Sequence, residues 1–238
     1  MADDALLYYL EAVGCDSVTA AAILASSSDE EGCGVVDSVR GEEPVVESGD
    51  DGAAAWAELA LEVAGCDACA LSAGRGKPVF GSGAVNADLL LIGEAPDGDE
   101  DRQGRAFVGR AGRLLEQMLA AIELDREQVQ VINVVKCHPP QNRSVKPQEL
   151  AACRHFIEAQ IAIVQPKVIG LLGSVAACAM LGRDAPLSVS RHCWHTVQGT
   201  PAYVTYHPAF LLRSQRQKVE GWHDLLQIKQ RLRSLSAS

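Results

Sequence analysis

The chain has no apolar run long enough to cross a bilayer, and its opening, MADDALLYYLEAVGC, lacks the basic segment that begins a signal peptide. A membrane-bound or exported protein is therefore not expected, and a cytoplasmic, nucleoid-associated one is. Bases are nearly missing from the first 65 residues, where Arg40 stands alone against 15 of the 31 acids. That stretch carries −14, while the remaining 173 residues balance at +4. The overall charge of −10 thus does not exclude a polyanionic partner for the body of the chain. No internal repeat is evident. Eight cysteines are present, yet in a reducing compartment they point to free thiols or a metal centre rather than to disulfides.

A length of 238 residues allows one sizeable core and an appendage. Residues 1–52 read as an acidic N-terminal extension, with short helices at 4–13 and 17–26. From Ser27 to Gly52 the chain is acidic, Gly- and Ser-bearing and poor in aromatics, so a disordered tether is predicted. Solvation or linkage is its plain role, and docking of an unidentified partner protein by the preceding helices is the sharper one. Residues 53–238 read as a single folded domain. After a helix at 53–65, strands at 87–92, 129–135 and 167–172 alternate with helices at 110–122, 148–164 and 174–182. An extended pair follows at 193–198 and 201–206, and a last helix near 219–234. Strand–helix alternation with continuously apolar strands predicts an α/β fold with a parallel sheet between helices.

The most informative segment is GEAPDGDEDRQGRAFVGRAG at 93–112, which follows the strand directly. Functional groups in open α/β sheets gather at the carboxyl ends of the strands. This loop carries Glu94, Pro96 and Phe107, and a stiff, partly apolar loop suits a ligand pocket better than a solvated connection. Cys66 and Cys69 form a C-x2-C pair, while Cys137 follows a strand and Cys153 sits in a helix. Two residues between thiols let both sulfurs hold one centre. Four-thiol zinc and an iron–sulfur cluster remain equally open on composition. Cys178, in AVAACAML, is expected to be a small core residue.

Three blocks together closely resemble the family 4 uracil-DNA glycosylases. They are the loop just quoted, Asn133-Val-Val-Lys-Cys-His-Pro-Pro-Gln-Asn-Arg143, and Tyr206-His-Pro-Ala-Phe-Leu-Leu-Arg213. They occur in the family's order with both cysteine pairs at its spacing, over about residues 63–235. The resemblance implies a three-layer α/β/α fold around a four-stranded parallel sheet. It implies a [4Fe-4S] cluster on Cys66, Cys69, Cys137 and Cys153, uracil-containing DNA as partner, and action as a monomer. The activity implied is monofunctional hydrolysis of uracil from DNA, leaving an abasic site. A weakly active uracil- or DNA-binding relative is the alternative.

The residue chemistry fits that assignment. Phe107 would stack a flipped pyrimidine, with Gly93 beside it in the substrate site. Asn133 offers a donor and an acceptor, matching the O4 and N3–H edge of uracil but not that of cytosine. His207 would stabilise negative charge on the departing base. Glu94 would position the attacking water or stabilise the cationic sugar, with support from Asn142. Arg143, Lys146, Arg213, Arg216 and Lys218 are candidate phosphate contacts, and Leu211 or Leu212 a wedge into the base stack. Two departures from the family pattern stand out. Asp97 replaces a glycine and could itself hold the water, or raise a neighbouring carboxyl by like charge. Ala106 replaces a proline and is expected to loosen the segment before Phe107.

Overall fold

A computed structural model describes residues 2–15 and 50–236. The expected helix at 17–26 and the tether up to residue 49 lie outside the described residues. Helices are numbered α1 Ala2–Ala12, α2 Asp50–Gly65, α3 Gly98–Gln103, α4 Arg110–Ala121 and α5 Pro147–Val164. After them come α6 Ser174–Leu181, α7 Leu187–Ser190, α8 Pro208–Leu211 and α9 Gln217–Ser236. The strands are β1 Leu89–Gly93, β2 Val129–Asn133, β3 Val168–Leu172, β4 Trp194–Val197 and β5 Thr200–Thr205. Helix α2 begins at Asp50, within the stretch assigned to the tether.

The sheet has the order β2-β1-β3-β5-β4. Its first four strands are parallel, as expected, and the correction is a fifth strand: β4 joins β5 antiparallel at the edge. A two-residue turn at Gln198 and Gly199, both with positive φ, reverses the chain there and leaves no room for a crossover helix.

Strands β1, β2 and β3 are buried along their whole length, and alternate side chains serve opposite faces. Leu89, Leu91, Val129, Val131 and Val168 face α4 and α9, packing on Leu114, Leu115, Met118 and Ile228. Leu90, Ile92, Ile132, Ile169 and Leu171 face α5 and α6, packing on Ile157, Ile161, Ala176 and Ala177. The result is the predicted three-layer sandwich.

Helix α4 tolerates Gly112 in its first turns because its buried stripe dominates. Each buried Leu or Met contributes roughly 1.5–3 kcal/mol, whereas a helical glycine costs about 1 kcal/mol. The glycine is needed where it stands, since a Cβ there would come within 1.8 Å of the Phe107 carbonyl oxygen.

The reading of residues 1–52 as an appendage needs correction for α1. Leu6, Tyr9, Leu10 and Val13 are buried in the main core, and Tyr9 stacks on Trp222 of α9 at 4.8 Å between ring centroids. Three to four residues separate these apolar positions, the spacing that puts one face of a helix against a partner. Lys218, expected to face phosphate, is buried too and donates from Nζ to the Val13 carbonyl oxygen at 2.5 Å. Its ammonium closes the C-terminal end of α1 instead. No helix among the described residues is long and apolar enough to cross a membrane.

Candidate active site

The strand ends β1 and β2 meet in register at Gly93 and Asn133. A Cβ on Gly93 would lie 2.4 Å from Asn133 Oδ1 and 2.9 Å from the Phe107 ring. Glycine is thus the residue that lets amide and ring close over the strand end. Both polar atoms of the Asn133 side chain are buried and lack a hydrogen-bond partner. The amide lies against Glu100 without meeting hydrogen-bond geometry. A buried amide left this way costs about 1–3 kcal/mol, which marks it as a group kept for a ligand.

The Phe107 ring is buried and stands 5.5 Å, centroid to centroid, from the imidazole of His207. Phe107 has a φ of 57°, a left-handed conformation that a bulky residue adopts only when its surroundings enforce it. His207 caps α8, where its Nδ1 accepts from the Ala209 amide at 3.1 Å. That bond leaves the ring proton on Nε2. Burial, then the charge of Arg213, pushes the His207 pKa down to about 4, so the ring is neutral at physiological pH. The end of β3 approaches it closely: a Cβ on Gly173, whose φ is 90°, would sit 3.1 Å from His207 Cβ.

Phe107, Gly173 and His207 open onto one cleft of about 560 Å³, lined also by Glu94, Asp97, Glu100, Asn142, Tyr206 and Arg213, and the buried Asn133 amide lies beside the Phe107 ring. Burial raises the Glu94 carboxyl above the usual carboxylate range, partly offset by a hydrogen bond from the Val145 amide. Asn142 is exposed, and its Oδ1 accepts from His138 Nε2 at 2.8 Å.

Away from the cleft, Cys66, Cys69, Cys137 and Cys153 line a single cavity between α2 and α5. Arg75 donates to Cys137 Sγ at 3.2 Å. Burial pushes the Cys153 thiol up to about 11 and raises Cys137 as well.

The model of the Uracil DNA glycosylase superfamily matches residues 80–226, more than half of the chain. The chain belongs to that superfamily. Among its relatives, the type-4 uracil-DNA glycosylase of Thermotoga maritima is 40% identical over 156 residues, covering 65% of this chain and 81% of the relative. The type-4 enzyme of Pyrobaculum aerophilum is 36% identical over 168 residues, covering 67% and 86%. That of Archaeoglobus fulgidus is 42% identical over 120 residues, covering 50% and 60%.

Several expected residues of this superfamily member sit differently from the sequence reading. Leu211 is fully buried against Gly221 and cannot enter a base stack, whereas its neighbours Phe210 and Leu212 are 36% and 38% exposed. On a single helical turn, one of three successive apolar residues faces inward and the others outward. Asp97 is not a free carboxylate: its Oδ1 accepts from the Asp99 and Glu100 amides, capping α3. The carboxyl it raises is that of Glu100, pushed up to about 7 by burial and then by the Asp97 charge.

Ala106 is buried, and Ser82 Oγ donates to its carbonyl oxygen at 2.9 Å. Arg143 lines the cleft, but its guanidinium is paired with both oxygens of Glu149 at 2.9 and 2.5 Å. Arg213 and Arg216 are exposed, as is Lys146.

Three participants escaped the sequence reading. Glu100 carried a signal, since Asp-x-x-Glu at 97–100 is the spacing of a capping box. Arg191 carried none: it is buried, bonds Asp224 and Glu220, and lies 4.0 Å over the Tyr206 ring, fixing the approach to His207. His138, which ties Asn142, was hidden in a motif read for its cysteine and asparagines.

Proposed function

We propose that this chain is a monofunctional uracil-DNA glycosylase, hydrolysing the bond between uracil and deoxyribose and leaving an abasic site. One observation carries the reading: an aromatic plate and a neutral imidazole line one cleft at the strand ends, and an unpartnered buried amide lies beside the plate. A uracil extruded from the stack would lie on Phe107, where Asn133 Nδ2 donates to O4 and Oδ1 accepts from N3–H. Cytosine offers an amino group and a bare nitrogen at those places and leaves both Asn133 atoms mismatched.

As the C1′–N1 bond breaks, its electron pair moves onto the base, notably O2, which accepts a hydrogen bond from His207 Nε2–H. Water adds to C1′ and gives its proton to Glu94, with the amide of Asn142 holding it in line. Exposed Arg213, Arg216 and Lys146 would hold phosphates. No observation favours the weakly active alternative, because Asp97 is seated on a helix end.

The test is a uracil-bearing oligonucleotide treated with the protein and then with hot alkali. Strand scission at uracil, and none at cytosine, is expected. Intact strands at stoichiometric protein would sink the reading.

We also infer a [4Fe-4S] cluster on the four thiols. Cys66, Cys69, Cys137 and Cys153 line one cavity, and four thiolates are the ligand set of a [4Fe-4S] cluster. Such a cluster would join the 66–75 turn to the 137–142 loop that carries Asn142. Purified protein is expected to be brown, with absorbance near ~400 nm from sulfur-to-iron charge transfer. Colourless protein with bound zinc would contradict this.

A further inference from the structure

We propose that Glu100 is a positioning residue for the pocket, its buried carboxyl clamping the left-handed backbone of Phe107 while Asp97 locks the clamp to α3. The inference rests on the uracil reading of the cleft and adds what holds the plate in place.

Glu100 is only 5% exposed. Its Oε2 accepts from the Asp97 amide at 3.1 Å, the return bond of a capping box. Its Oε1 accepts from the Phe107 amide at 2.5 Å. A capping glutamate normally serves only its own helix. Here the second oxygen reaches seven residues ahead and ties the start of the loop to its far end. Phe107 needs such a tie, because a positive φ is unfavourable for a bulky residue without enforcement. The Ser82 bond to Ala106 fixes the preceding residue, and Gly112 lets the Phe107 carbonyl pack on α4. Glu100 holds the amide between them.

The same carboxyl has its pKa raised to about 7 by burial, then by Asp97, with the two amide bonds and Asn133 opposing. A proton on either oxygen forfeits one of the two amide bonds. The other ionisable groups on the cleft are Glu94, Arg143, Tyr206, His207 and Arg213, besides Asp97 itself. His207 is already neutral above about 4 and Tyr206 titrates at about 12, so neither changes charge near neutrality. Glu94 is the one other group with a raised carboxyl, and substitution at Glu100 separates the two.

The experiment measures KM, kcat and inhibition by free uracil between about pH 5.5 and 8.5, with amide hydrogen exchange at Phe107. It compares the wild type with Glu100→Gln and Glu100→Ala. Wild-type uracil affinity is expected to weaken as pH falls through about 7. Glu100→Gln has one acceptor oxygen, like the protonated carboxyl, and cannot titrate, so it should lose the pH step and hold at every pH the weaker affinity that the wild type shows at low pH, about threefold in KM. Glu100→Ala should raise KM and the uracil inhibition constant about tenfold, lower kcat less, and speed exchange at Phe107. If the alanine variant does not fold, Glu100→Asp, too short to reach Phe107, takes its place with the same expectation.

Variants that lose melting temperature yet keep wild-type KM, pH profile and exchange would reduce Glu100 to a helix cap and overturn the proposal. A wild type that excises no uracil would instead overturn the functional reading, while exchange at Phe107 would still report on the clamp.

Discussion

Replacing His207 by alanine is expected to lower kcat by roughly 10²–10³, the usual loss when one donor to a developing oxyanion is removed, with KM little changed. The split follows from timing: the base acquires negative charge only as the glycosidic bond breaks, so the imidazole N–H is worth most in the transition state. The protonation state can be tested separately. With Nδ1 occupied by the Ala209 amide and the pKa held near 4, the ring donates through Nε2 as a neutral imidazole. Wild-type kcat should therefore not fall as pH rises through the ordinary histidine value of about 6.5. A rate that falls as pH rises through that value would mean that imidazolium is the active form, and the assignment would be wrong. Glutamine at 207 carries a donor of similar reach and is expected to recover part of the loss.

Asn133→Leu should abolish uracil excision to a greater extent, roughly 10⁴-fold in kcat/KM, while making the protein more stable. A site built to hydrogen-bond a polar edge rejects mismatch by about 10⁴–10⁵ because buried polar groups are left unpaired. Here the mismatch is on the side of the base, whose O4 and N3–H would meet hydrocarbon. Stability moves the other way. Asn133 is 1% exposed and neither side-chain polar atom has a partner, so the folded protein bears the cost of a dry amide. Leucine of similar volume removes that cost, and a gain of about 1 kcal/mol in unfolding free energy is expected. Kinetics and chemical denaturation on the same preparation check both halves. Loss of stability together with activity would show the amide to be structural. The opposed signs are what a group retained for binding produces.

These expectations draw on information that was unevenly visible in the sequence. Strand positions in β1, β2 and β3 were plain, because runs such as Leu89–Ile92 have no polar residue to place outward and belong between two helical layers. The sites of Asn133 and His207 were legible for the same reason, since each stands at or just after the end of a buried strand, while Phe107 lies further along the loop segment that follows β1. Helix α1 was misjudged because acidic composition over residues 1–65 obscured a four-residue apolar face. Net charge averages over a segment, while packing depends on one side of it. Leu211 and Leu212 are chemically alike, and only the helical turn after His207 decides which of them is buried.

The residues alone determined the layered α/β architecture, the superfamily, and the chemical kinds of group at the pocket, because hydrophobic periodicity and motif spacing are local properties of the chain. Tertiary structure alone decided how those groups act. Asn133 is unpartnered, Asp97 is spent on a helix cap, Glu100 grips a backbone seven residues on, and His207 is neutral. Each is a matter of burial and of bonds between segments distant in sequence, and a pattern read along one strand or one helix carries neither.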